Sequence, residues 1–213
     1  MKTPRGPVYS HSVGAAPPEN GGTGPATLPA GAEPAVTAVG WMIALWCVGF
    51  AAVNLAYLAT GRLEDGDYGE YATGLALMSW LVLIIKLVGA AVAVLAVRPL
   101  PRFVSPRMVG ASLWGAAALL VLYSGGNLVQ AVGMLAGVTG SRDDITLLGL
   151  CYVAFFLLGA IGYGVLARSF ARRYRISGGT KVVGVLGAPL ALAVLLMGLP
   201  LLLAQLDLLP NPW

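Results

Sequence analysis

Lys86 is a charge placed where charges are least expected. It interrupts the otherwise uncharged stretch 71–97, and eleven uncharged residues separate it from Arg98. At about 1.5 Å per helical residue it lies roughly 18 Å from the basic boundary of that stretch, near the middle of a hydrocarbon layer. An ionisable side chain at that depth turns toward protein and is a reason to look for an ion, proton or ligand path. The wheel agrees: Ala72, Ser79, Ala90 and Ala93 fall within about 40° of Lys86 at 100° per residue, a stripe of small side chains that admits a neighbouring helix.

Helical side chains lean toward the N-terminus of their own helix, so the ammonium is expected to reach outward, to roughly 24 Å from the inner boundary. Residue counting puts Asn54, Tyr123, Ser124 and Tyr152 near that depth and Asn127 slightly beyond it. Tyr123, Ser124, Asn127 and Gln130 also share one face of their span. Lys86, Asn54, Tyr123, Ser124, Asn127, Gln130 and Tyr152 are therefore the candidate ligand-binding set, a polar pocket in the outer half with Lys86 at its base. Such a pocket suits an anionic group or proton exchange. The competing interpretation is structural: intramembrane Asn, Gln, Ser and Tyr often only bridge helices, with the lysine satisfied by carbonyls freed at Ser124-Gly125-Gly126.

Other chemistry has little material. The single histidine is His11, in a Pro/Gly-rich segment, which removes most histidine-based metal and triad schemes. No carboxylate lies in an apolar block, so neither a paired acid and base nor a counter-ion for Lys86 is available there. Nucleophile-elbow, phosphate-loop and dinucleotide motifs are absent. A Lys86–Ser124 dyad stays formally open. The acidic loop Leu63–Glu70 does not match calcium-loop spacing. No catalytic residue, metal site or cofactor is assigned. Cys47 and Cys151 differ by roughly 12 Å in expected depth, too far for a disulfide.

The elements that must position these residues follow from composition. The 213 residues are 58% hydrophobic and 10% charged, against about 25% charged in an ordinary soluble domain. Soluble, disordered and nucleic-acid-binding classes are thereby excluded for the chain as a whole, leaving an integral membrane protein. Charges divide it into blocks that fit five apolar helices, near 37–60, 73–97, 108–130, 145–167 and 182–205, each close to the ~20 residues that cross a bilayer. The expected fold class is all-α, a five-span polytopic bundle over residues 35–213. Residues 1–34 hold seven of the fourteen prolines and are expected to form a disordered cytoplasmic tail.

The loops orient the bundle. Lys2, Arg5, Arg98, Arg102, Arg107, Arg168, Arg172, Arg173, Arg175 and Lys181 fall on one side, and only Arg62 and Arg142 on the other. Less Glu19 and Glu33, the first side carries +8; the second, with seven acids, carries −5. The positive-inside rule makes the N-terminus cytoplasmic and the C-terminus external. Within the basic side, Arg168, Arg172, Arg173, Arg175 and Lys181 are candidate contacts for anionic lipid headgroups, each contributing about 1 kcal/mol near the surface. Topological retention alone is the blander account of the same charges.

Local details complete the expectations. The uncharged block 108–141 would extend roughly 51 Å as one helix, more than a bilayer needs. A kink or break is expected at Tyr123-Ser124-Gly125-Gly126-Asn127, with 131–141 as an outer extension. Pro189 and Pro200 are candidate bends in the last span. Gly40/Ala44, Gly89/Ala93, Gly133/Gly137 and Ala160/Gly164 permit close helix crossings. Trp41, Trp114 and Trp213 fit interface positions; Trp46 and Trp80 fit packing positions.

Arginine outnumbers lysine ten to three, and Ala, Gly, Leu and Val dominate, as in high-GC bacterial genomes. The expected product is a bacterial plasma-membrane protein, a non-enzymatic accessory or binding component. Its expected partners are the lipid bilayer and another membrane protein or a second copy, with no nucleic acid. The alternative is a small-solute, anion or proton transporter built around Lys86; a lipid-modifying enzyme ranks third.

Overall fold

A computed structural model describes residues 32–60, 72–141 and 145–205. Most of the tail, both acidic loops and Trp213 lie outside the described residues. Five helices are present: α1 Pro34–Ala59, α2 Ala72–Val97, α3 Pro106–Leu135, α4 Leu147–Arg173 and α5 Gly178–Gln205. All five are long and apolar enough to cross a membrane. Helix is the only economical state for such sequences in hydrocarbon, because it satisfies every backbone polar group within the segment.

The helix ends follow local chemistry. Pro34 and Pro106 open α1 and α3, where a missing N–H costs nothing and φ is already suitable. Thr146 caps α4, its hydroxyl accepting from the Gly149 amide at 3.1 Å. Two helices close with the same motif. Val138 N–H donates to Gly133 O at the end of α3, with Gly137 at φ 70° between them. Ile176 N–H donates to Ala171 O at the end of α4, with Arg175 at φ 50°. The second places a non-glycine residue in the left-handed region, and the turn it makes buries Ile176 against Gly110 of α3.

The expected break in the third span does not occur. α3 runs continuously through Gly125 and Gly126 and stops only at the Gly137 turn. Paired glycines weaken a helix in water, but a broken turn in an apolar surround would strand amides with no partner. Of the expected extension, residues 131–135 belong to the helix and 136–140 form turns and bends. α5 likewise continues through Pro189 and Pro200. The Gly133/Gly137 pair ends a helix instead of serving a crossing, and Gly164 meets nothing. Trp80, expected to pack, is instead half exposed on the outer surface of α2.

Residue contacts set the helix directions. Gly40 faces Val97 and Cys47 faces Gly89, so α1 and α2 are antiparallel. Ile43 faces Gly162 and Trp46 faces Gly159, making α4 antiparallel to α1. Gly110 meets Ile176 and Gly115 meets Ala188, so α5 follows α3 in the same direction. α5 is peripheral and packs chiefly on α3, while α1, α2, α3 and α4 share the core. That core includes Ile43, Cys47, Ala93, Leu113, Leu166 and Phe170. All eight described basic side chains other than Lys86 gather at one end of the bundle, together with Glu33, the one described acidic residue.

Candidate functional site

Lys86 is on the face the wheel assigned it: Ala90 and Ala93 on the same stripe are buried against neighbouring helices. Its ammonium meets aromatic faces. Nζ lies 4.5 Å from the Trp46 ring centroid, 4.6 Å from Phe50 and 5.0 Å from Phe156. Trp46 and Phe50 are four residues apart on α1, the spacing that stacks two side chains on one helix face. Phe156 comes from α4. The rings also brace each other: Trp46–Phe156 is edge-on at 5.8 Å, and Phe50–Phe156 lies at 5.3 Å.

One glycine makes this box sterically possible, and a second makes room for a neighbouring contact between α1 and α4. A Cβ on Gly159 would stand 3.1 Å from the Trp46 ring, so the indole seats on bare α4 backbone. A Cβ on Gly89 would stand 2.7 Å from the Tyr163 hydroxyl, which reaches across α2 to within 3.2 Å of Cys47 Sγ. Ring quadrupoles present negative faces, so three of them around one ammonium replace part of its lost hydration; each such contact contributes about 2 kcal/mol when desolvated. The box thus ties α2 to α1 and α4 at one point.

The expected polar set is divided. Asn54 Nδ2 donates to Phe50 O at 3.2 Å and Asn127 Nδ2 to Tyr123 O at 2.8 Å, each on its own helix one turn back. Tyr123 touches the box only through Phe156, edge-on at 4.7 Å. Ser124 is fully buried, and its hydroxyl has no hydrogen-bond partner. Gln130 and Asn127 line a separate cavity of about 150 Å³ between the far end of α3 and the start of α4, with Thr146 and Gly149 opposite. Tyr152 faces outward. No hydrogen bond among the described residues joins any of these side chains to Lys86.

At the basic end, Arg173 is turned inward. It donates from Nη2 to Ala96 O on α2, and its guanidinium stacks on Tyr174 at 5.0 Å and Phe170 at 5.6 Å. Arg168, Arg172 and Arg175 are exposed. Lys181 Nζ lies 6.0 Å from the Trp114 ring, and the Arg98 guanidinium 5.2 Å from the Trp41 ring. Cys47 is a buried free thiol and Cys151 an exposed one. Among the described residues, no three His, Cys, Asp or Glu side chains converge as a metal site would require.

Sequence reasoning misses Phe50 and Phe156 and treats Trp46 only as packing. The expected outward reach does not occur: the ammonium meets Trp46 and Phe50, two turns and one turn inward of Asn54 on α1, so it stays near the level of its own Cα, where the Trp46–Phe50 spacing is the one signal the sequence offers. Comparison with known protein families, with curated proteins and with solved structures finds no match for this chain.

Proposed function

We propose that this chain is a non-enzymatic component of a bacterial plasma membrane, an accessory or binding subunit that assembles with another membrane protein or with a second copy. Its basic end faces the cytoplasm, so that the N-terminus is inside and the C-terminus outside. Arg168, Arg172, Arg175 and Lys181 stand toward anionic headgroups at that face. One observation carries the preference over a transporter: the intramembrane ammonium is enclosed by three rings of its own bundle. A carrier would need that charge presented to a solute; here it is used to hold helices.

The test is Lys86→Met in the full chain. An accessory subunit keeps its membrane level and continues to co-purify with its partner, and no solute flux depends on the lysine. Uptake or efflux that is present with Lys86 and abolished by Lys86→Met at unchanged protein level would replace this reading with transport. A periplasm-active reporter joined after Trp213 should be active, and a silent one contradicts the orientation.

A further inference from the structure

Two places in the bundle repeat one construction. Between α1 and α2 runs a groove of about 480 Å³, apolar throughout, with Trp41 at one end and Ala44, Val48, Ala91 and Val94 among its walls. Between α3 and α5 runs a second of about 400 Å³, with Trp114 at one end and Ala117, Ala118, Val121 and Val185 among its walls. In each, the tryptophan lies at the basic end and a cation rests on its ring: Arg98 at 5.2 Å on Trp41, Lys181 at 6.0 Å on Trp114. The two grooves use different helix pairs, one antiparallel and one parallel, so their likeness is not a by-product of a single crossing.

The chemistry of each groove is that of an anionic amphiphile. Trp41 to Val48 spans about 10 Å along α1, and Trp114 to Leu122 about 12 Å along α3. Both lengths fit the upper part of an acyl chain in one leaflet, half of a hydrocarbon core of about 30 Å. Alanine walls leave the width for such a chain. Tryptophan prefers the headgroup level, which sets the cation at the height of a phosphate. Stacking on a ring engages the face of the guanidinium and leaves its in-plane N–H groups to donate; the ammonium likewise keeps donors to spare. Neither cation is paired with an acid among the described residues. A purely apolar helix from a partner would fill the walls but leave both charges unanswered.

We infer that the α1–α2 and α3–α5 grooves are two seats for anionic phospholipid, each holding an acyl chain along its alanine-lined wall and the phosphate at Arg98 or Lys181. This rests on reading the chain as membrane-spanning, and it goes beyond general headgroup attraction by assigning two lipids to two defined places. Arg98 is not among the lipid contacts expected from sequence.

Native mass spectrometry of the full chain tests it, after extraction from vesicles of phosphatidylcholine mixed with phosphatidylglycerol of matched chains. Two phosphatidylglycerols should remain per chain and phosphatidylcholine should be lost. Arg98→Gln and Lys181→Gln should each weaken retention of one lipid about fivefold, and together weaken both to that extent. Ala91→Leu and Ala118→Leu, which fill a groove and keep its charge, should each weaken the same lipid as the corresponding charge variant. Arg107→Gln, an exposed cation of the same end outside both grooves, should retain two. Equal retention of both lipids overturns the inference, as does an Arg107→Gln loss equal to that of Arg98→Gln. So does a lipid-free dimer that Ala91→Leu dissociates. Failure of the membrane-spanning reading shows separately, as chain absent from the membrane fraction.

Discussion

The half of the bundle that carries the arginines and the half that lies beyond the aromatic box are packed by different means. In the basic half, glycines sit where another helix touches. A Cβ on Gly40 would meet Val97, one on Gly115 would meet Ala188, and one on Gly184 would run into the Ala111 carbonyl and the Trp114 side chain. At the box and beyond it, Cβ atoms at Gly49, Gly125, Gly126 and Gly198 would meet nothing. Gly164, Gly178 and Gly179 are the exceptions at the basic end. Most of the large buried side chains follow the same division: Val97, Val109, Leu113, Leu166, Phe170 and Ile176 belong to the basic half, while Ala51, Leu83 and Ser124 are buried on the other side of Lys86.

Cohesion in an apolar surround has a different source from cohesion in water. Lipid is as apolar as leucine, so helices gain little by burying leucine alone; close backbone approach and polar or ring contacts decide. The basic half has close approach. The other half depends on the ring box and on Thr146 capping α4.

Substitutions put this contrast at risk. Gly184→Leu should be the most damaging, because the added side chain meets backbone that cannot give way. A loss of about 3 kcal/mol is expected in detergent-titration unfolding, and a variant as stable as the parent would remove the packing account of the basic half. Next is the coupling between Trp46 and Lys86. Trp46→Leu should cost about 2 kcal/mol more in the parent than in a Lys86→Met background, since only the parent leaves an ammonium short of a ring. A cycle that closes at zero would mean the rings and the charge are neighbours without interaction.

Ser124→Ala should stabilise by about 1 kcal/mol, because it deletes a buried hydroxyl that has no partner. A loss of stability would instead reveal a bound water or ligand at that hydroxyl. Smallest is Gly126→Ala, expected to gain about 0.5–1 kcal/mol from helix propensity with no packing to disturb. Gly126→Ala measured beside Gly184→Ala gives opposite signs if the two halves differ as described.

Much of the fold is legible in the amino-acid sequence. The five blocks between charges correspond to the five helices, and the small stripe on α2 puts Ala90 and Ala93 inward beside Lys86. The glycine pair at 125–126 misleads because the cost of a glycine in a helix, about 1 kcal/mol, is smaller than that of the unpaired backbone groups a break in an apolar surround would leave. The candidate pocket is harder. Depth counting puts Asn54 and Asn127 level with an outward-reaching Lys86 ammonium, but the ammonium turns to rings one to two turns inward of Asn54, and both amides turn back to carbonyls of their own helices. Arg173 shows the same limit: counted among surface charges, it donates into α2 at Ala96.

Charge position along the chain determines the spans, their alternation and the gathering of basic residues at one end, because a bilayer sorts charge by depth and depth is nearly linear in residue number. Which rings surround Lys86, and which tryptophan each basic side chain rests on, are settled by tertiary packing alone. Those contacts join residues from different helices, as Lys86 of α2 meets Trp46 of α1 and Phe156 of α4, and their partners are chosen by where bare glycine backbone lets one helix approach another.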